Sequence, residues 1–112
     1  VSHWAELDND NKVIRVLVGD NNDPAGDEGY QWLIDNLGGT WIKTSYNSKI
    51  RGIYAGISYT YNPDEDIFVT PQPYPSWIRS GSFWNAPIEY PNDNKKYVWN
   101  EELGDWVETL VI

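Results

Sequence analysis

The chain has no cysteine, one histidine, two phenylalanines and only eight lysines and arginines among 112 residues. The missing cysteine excludes disulfides, thiol catalysis and thiolate metal sites together. The lone histidine, His3, has no second histidine to share a metal and sits beside a terminus, a poor place for a general base. Against the eight basic residues stand 17 acidic ones, for a formal charge of −9. That field repels phosphate backbones and anionic membranes, so neither nucleic acid nor membrane is an expected partner. No apolar run approaches the length of a membrane span. The opening Val1-Ser2-His3-Trp4-Ala5-Glu6 has neither the basic end nor the apolar run of a signal peptide. The chain is thus expected to carry no leader and no transmembrane segment.

What is abundant is aromatic. Seven Trp and eight Tyr raise the aromatic share to 15% while the apolar share is only 40%. Large rings can replace many aliphatic side chains in a thin core, so a folded chain is expected despite the polar average. The length fits one domain with one core. We read residues 1–112 as a single domain, with a hairpin–helix–strand half (1–58) and an aromatic, proline-rich half (59–112).

In the first half, Trp4-Ala5-Glu6-Leu7 and Lys12 to Val18 flank the Asp8-Asn9-Asp10-Asn11 cluster as a hairpin. Val13, Ile14, Val16, Leu17 and Val18 put apolar groups on both faces, the pattern of a central strand. Asp23-Pro24 is a helix-start signal, and Tyr30, Leu33, Ile34 and Leu37 keep helical spacing. Gly38-Gly39 stops the run, so one helix is expected at about 24–37. Thr40 to Ser45 and Ile57 to Tyr61 read as strands. Gly52 and Gly56 between them suggest a bulge, a bend or a close backbone approach.

The second half repeats itself. Phe68-Val69-Thr70-Pro71-Gln72-Pro73-Tyr74-Pro75 returns sixteen residues later as Trp84-Asn85-Ala86-Pro87-Ile88-Glu89-Tyr90-Pro91. A second offset, 38, relates Tyr59 to Tyr97, Tyr61 to Trp99, Asn62 to Asn100, Phe68 to Trp106 and Val69 to Val107. Each copy reads as strand, polar turn, strand, and the aromatic leaving the turn can lie across from one entering it. Trp77 to Trp84, around Ser80-Gly81-Ser82, is a shorter version. Consecutive hairpins in a meander follow, joined by extended connectors with polyproline character at Pro71, Pro73, Pro75, Pro87 and Pro91. The expected fold class is α+β, mostly antiparallel β, with one helix packed on a sheet and repeated aromatic hairpins.

Tyr74, Trp77, Trp84, Tyr90, Trp99 and Trp106 are the candidate binding residues. Exposed flat rings stack on sugars or proline-rich peptides and anchor interfaces. The bland reading is that they form the core, and for any one ring it is favoured by about two to one. Seven Trp are nonetheless hard to bury in so small a domain, which favours a partner surface for the set. The acidic turns Asp8-Asn9-Asp10, Asp64-Glu65-Asp66 and Glu101-Glu102 offer oxygen ligands for Ca²⁺. Solvated hairpin tips are the better reading, by about five to one, and no dedicated loop spacing is present. Paired carboxylates among Asp64, Glu65 and Glu101 are the weak case for an acid/base hydrolase. No phosphate loop, zinc spacing or nucleophile elbow occurs, so no catalytic residue, cofactor or metal is expected.

Several phrases carry a resemblance. Pro73-Tyr74-Pro75-Ser76-Trp77, Ala86 to Pro91, Tyr97-Val98-Trp99-Asn100-Glu101 with Trp106, the opening Ser2 to Asp8, Gly39-Thr40-Trp41 and Tyr54 to Tyr61 resemble small proteins of marine tailed phages, including cyanophages. The segment between Trp77 and Trp84 is shorter here than in that group. Members are mostly uncharacterised and sometimes labelled virion structural or tail-fibre-like, generally without a defined activity. The resemblance implies a phage origin, and a place in the virion or the infected-cell cytoplasm. It carries over no catalytic residue. The function expected is a non-enzymatic phage structural or accessory protein acting by protein–protein interaction through an aromatic surface. Its partner would be a second copy or another virion protein. The alternative is a carbohydrate-binding module for a host-surface glycan.

Overall fold

The computed structural model describes residues 2–19 and 26–109. Backbone contacts divide the chain into two compact units, Val1–Pro71 and Gln72–Ile112. The fold is α+β with one helix and otherwise antiparallel strands. The first aromatic hairpin belongs to the N-terminal unit; the other two form the C-terminal one.

The N-terminal unit is built on a three-stranded sheet of β1 (Ser2–Leu7), β2 (Val13–Gly19) and β3 (Thr40–Thr44), in the order β2-β1-β3. The central strand is therefore β1, and β2 is an edge, contrary to the sequence reading. The β1–β2 ladder carries a bulge. Glu6 pairs with Arg15 but Leu7 pairs with Val13, which leaves Ile14 as the extra residue. The two-faced apolar pattern of β2 has two sources: Val16 and Leu17 pack on opposite faces of the sheet, and the bulge sets a buried Val13 beside an exposed Ile14. In β1 both faces are covered, and Trp4, Ala5, Glu6 and Leu7 are all buried.

On one face of the sheet, Trp4, Trp41 and Leu33 form a core cluster with Leu17 and Ile34. Leu33 and Ile34 come from α1 (Tyr30–Leu37), so the helix packs on the sheet as expected. The buried Glu6 on this face is paired with Arg15, whose guanidinium lies 5.3 Å from the centre of the Trp41 ring. The helix starts later than expected. Gly26, Glu28 and Gly29 all have positive φ, which no helical turn tolerates. Asp27 instead caps the helix from outside, accepting the N–H groups of Gly29 (3.2 Å) and Gln31 (3.0 Å). The Asp23-Pro24 signal lies outside the described residues. The end falls where expected, with Gly38 N–H donating to Ile34 O at 3.0 Å.

The other face holds Ala5, Leu7, Val13, Ala55 and Phe68, with Val16, Ile42, Ile53, Tyr59 and Tyr61 packed against them. Residues 50–59 cover it without forming a strand. Ser58 has φ 73° and Tyr59 N–H donates to Gly56 O, so Ile57 and Ser58 form a turn where a strand was expected. The tightness expected at Gly56 is present: a Cβ there would lie 3.0 Å from the Tyr59 ring. The hairpin of β4 (Thr60–Asn62) and β5 (Ile67–Val69) completes the cover.

The C-terminal unit contains two hairpins, β6 (Ile78–Ser80) with β7 (Phe83–Asn85) and β8 (Tyr97–Asn100) with β9 (Asp105–Glu108). Each of the three aromatic hairpins is its own two-stranded ladder, so the expected meander is replaced by separate sheets. The prolines between them withhold the N–H groups that a continuous ladder needs. The first connector does not stay extended either: Trp77 N–H donates back to Tyr74 O at 3.1 Å.

The two long hairpins turn alike. Asn62 Oδ1 accepts the N–H groups of Asp64 and Glu65, and Asn100 Oδ1 accepts that of Leu103. The last turn residue is left-handed in both, Asp66 at φ 54° and Gly104 at φ 66°. The short hairpin turns through Gly81-Ser82, with φ 61° at Gly81, as a two-residue loop does.

Candidate functional site

The aromatic pairing expected across the hairpins is present. Tyr61 lies opposite Phe68, with ring centres 5.4 Å apart, and Trp99 lies opposite Trp106 at 5.2 Å. Both pairs sit at the same place in the 38-residue repeat. The short hairpin differs: Trp84 lies opposite Arg79, and Trp77 precedes the ladder.

In the C-terminal unit the pair grows into a lattice. Trp77 lies 6.0 Å from both Trp99 and Trp106, inclined at 87° and 63°. Tyr74 packs on Trp77 at 5.6 Å, and Tyr90 on Trp106 at 4.9 Å. Tyr97 closes against Tyr90 at 5.8 Å, a ring the candidate set did not include. Edge-to-face contacts of this kind are worth about 0.5–1.5 kcal/mol each beyond the area they bury. Trp99 is buried, with 7% of its surface exposed; Tyr74, Trp77, Trp84 and Trp106 are half-buried and Tyr90 is exposed. Five of the six candidate rings thus join one another directly. No aliphatic side chain of this unit is buried among the described residues, so the rings are its core.

The polar edges of the lattice are largely used within it. Trp106 Nε1 donates to Ile88 O at 2.8 Å, which fastens the second proline connector to β9. Tyr97 N–H donates to Tyr90 Oη at 3.0 Å. Trp99 Nε1 donates to Glu101 Oε1 at 2.8 Å, and the same carboxylate accepts Ser76 Oγ at 2.6 Å and Ser76 N–H at 3.1 Å. The Ser76 hydroxyl, then the Trp99 indole, hold the Glu101 carboxyl below its ordinary range. Tyr97 Oη donates to Asp93 at 2.6 Å, and that bond pushes the phenol up to about 12. Trp77 Nε1 is buried without a partner.

The sixth ring, Trp84, enters through a groove. Trp77, Trp84, Tyr90 and Trp106, with Asn85, Ala86, Pro87, Ile88 and Glu89, line an open cavity of about 530 Å³. The second copy of the proline phrase therefore forms one wall. Glu89 is the only charged side chain of the lining. Its rings meet at steep angles, 73° between Tyr90 and Trp106 and 63° between Trp77 and Trp106. They make walls that turn a corner rather than one flat platform.

The acidic turns do other work. Asp66 accepts Tyr61 Oη at 2.5 Å and Arg51 Nε at 2.9 Å, and its carboxyl is held low by Tyr61 first and Arg51 second. Asn62 Nδ2 donates to Glu65. Asp8 Oδ1 accepts the N–H groups of Asp10 and Lys12 within the first turn. Among the described residues no three His, Cys, Asp or Glu side chains cluster as metal ligands. No helix there is long and apolar enough to cross a membrane.

Two features of the N-terminal unit were not visible in the sequence. His3 packs edge-on to Tyr54 at 5.4 Å and stacked on Tyr46 at 6.1 Å, with Tyr46 well exposed. Beside Tyr46, a polar cavity of about 270 Å³ is lined by Ser2, Glu28, Lys43, Thr44 and Asn47 among others. Lys43 is paired with Glu28 and holds its carboxyl below the ordinary value. His3 and Tyr46 are 43 residues apart in the chain and nothing in their spacing joins them; β1–β3 pairing does, placing His3 opposite Thr44. Compared with family models, curated proteins and solved structures, the chain finds no match.

Proposed function

We propose that the protein is a non-enzymatic binding protein, a structural or accessory component of a tailed phage, that holds a protein partner in the groove of its C-terminal unit. The observation that carries this reading is the groove itself: four rings, a proline and an isoleucine facing one open cavity. Grooves lined by aromatic side chains are a recurrent way of holding extended peptide segments. The virion setting rests on the resemblance of the sequence phrases to small phage proteins. The glycan alternative has support in Asn85 and Glu89, which could meet sugar hydroxyls. It is the weaker reading because sugar stacking favours a flat exposed ring, and these rings turn edges to one another.

Selection of a displayed random-peptide library against the intact chain tests the proposal. Selected peptides should lose binding to a Trp84→Ala variant whose near-ultraviolet circular dichroism shows a retained fold, and Ile88→Ala should weaken them. A library that yields no binder, or binders indifferent to both substitutions, overturns it. A glycan array run in parallel gives the alternative its chance.

A further inference from the structure

The chemistry of the groove also selects its occupant. We infer that it takes a cationic side chain, an arginine or lysine, from a basic segment of the protein partner; this rests on the binding role given above. Four aromatic rings and one carboxylate line the groove, and no lysine, arginine or histidine does. Aromatic faces carry negative charge density and aromatic edges positive. One donor of the walls is already committed, Trp106 Nε1 to Ile88 O, and the Tyr90 hydroxyl oxygen accepts Tyr97 N–H. The groove offers a ligand its aromatic walls, and beside them the exposed Glu89 carboxylate.

Ring arrangement points the same way. A cation within about 6 Å of a ring centre is attracted by it, and several rings at steep angles let one cation meet more than one face. The groove is larger than a single side chain, which leaves room for the backbone on either side of the inserted residue. The wider field agrees: residues 72–112 carry three basic side chains, Arg79, Lys95 and Lys96, against six acidic ones. Arg79, opposite Trp84 in the ladder, donates to Gly81 O at 2.8 Å and is not part of the lining. An anionic ligand would meet the Glu89 carboxylate with no basic side chain in the lining to offset it.

Three capped tripeptides with central arginine, lysine or norleucine test this on the full chain at physiological salt, read by the indole N–H resonances of Trp84 and Trp106. Norleucine is the uncharged counterpart of lysine. The arginine and lysine peptides should shift both resonances and bind about tenfold more tightly than the norleucine peptide. Glu89→Gln, an exposed change that leaves the rings in place, should weaken both cationic peptides by about fivefold. Glu102→Gln, an equal loss of charge outside the groove, should leave them unchanged. Equal binding by norleucine overturns the cation while leaving the groove a peptide site. Equal losses from Glu89→Gln and Glu102→Gln overturn it as well, since the general acidic field would then account for the binding. No shift with any peptide overturns the inference; the display selection then decides the binding role separately.

Discussion

The N- and C-terminal units use the same aromatic hairpin to different ends. In the first unit Tyr61 and Phe68 lean on Ala5, Leu7, Val13 and Ala55, and Phe68 is fully buried. In the second, Trp99 and Trp106 stand at the same repeat positions but pack against other rings, with their indole N–H groups held by Glu101 and the proline connector. A pair that roofs an aliphatic core becomes the core once the sheet beneath it is gone. The larger indole is what the second setting requires, because no aliphatic layer is there to fill the space. The lesson is that a repeated hairpin specifies the cross-strand pair, and the surroundings decide whether that pair is a lid or a foundation.

The sharpest way to break the comparison is to remove the foundation. Trp99→Ala should cost roughly 3–5 kcal/mol, the range for deleting a buried large ring. The loss of near-ultraviolet circular dichroism on denaturant titration should then come earlier for the C-terminal unit. An unchanged titration would mean that the lattice is not that unit's core. Smaller, and opposite in sense, is enlargement of the lid. Phe68→Trp imports the second copy's residue into a site with no exposed surface, and overpacking should cost about 1–3 kcal/mol. If the variant is as stable as the parent, the two settings are more alike than described. The turn gives a finer test. Gly104→Ala forces a side chain into a left-handed position and should cost about 1 kcal/mol in chemical denaturation. Asp66 already accepts that conformation in the first copy, where Tyr61 and Arg51 hold its carboxylate.

The smallest effect expected is on acid sensitivity. The folded state holds Glu101 below its ordinary value, so the contribution of its ionised form is complete above the unfolded carboxyl's value of 4.5 and fades as pH falls through the lower folded one. An acid titration followed by indole fluorescence should show that fading, and Glu101→Gln should abolish it. A variant with the parent's acid transition would assign the transition to another carboxylate, such as Asp66 in the first unit, whose value is lowered in the same sense.

The hairpins were legible in the sequence because three signals coincide in each long copy. Asn62 and Asn100 begin the turns, polar residues fill them, and aromatics two apart mark one face. The end of the helix was legible at Gly38 for the same local reason. Its start was not: Tyr30 to Leu37 keep helical spacing, but left-handed Gly26, Glu28 and Gly29 delay it, and glycine spacing does not declare the sign of φ. The place of β2 was hidden because Val16 and Leu17 pack on opposite faces even at a sheet edge, and the Ile14 bulge adds a further apolar neighbour. Of the candidate site, the rings were legible as a set, since repetition marked them. Their division into a lattice and a groove was not, because it depends on Trp77 lying outside its own hairpin and on Ser76 reaching Glu101 across 25 positions. The 38-residue offset matches Tyr97 to Tyr59, but the offset alone does not say which copies of a ring face inward.

The triangle of Trp77, Trp99 and Trp106 has an optical consequence. Three indoles at 5.2–6.0 Å and 63–87° have transition dipoles close enough to exchange excitation, and a fixed chiral arrangement turns that exchange into a two-signed exciton band. The described ring contacts of the N-terminal unit include no such Trp–Trp pair. The second unit therefore carries a built-in reporter whose disappearance would time its unfolding without any label.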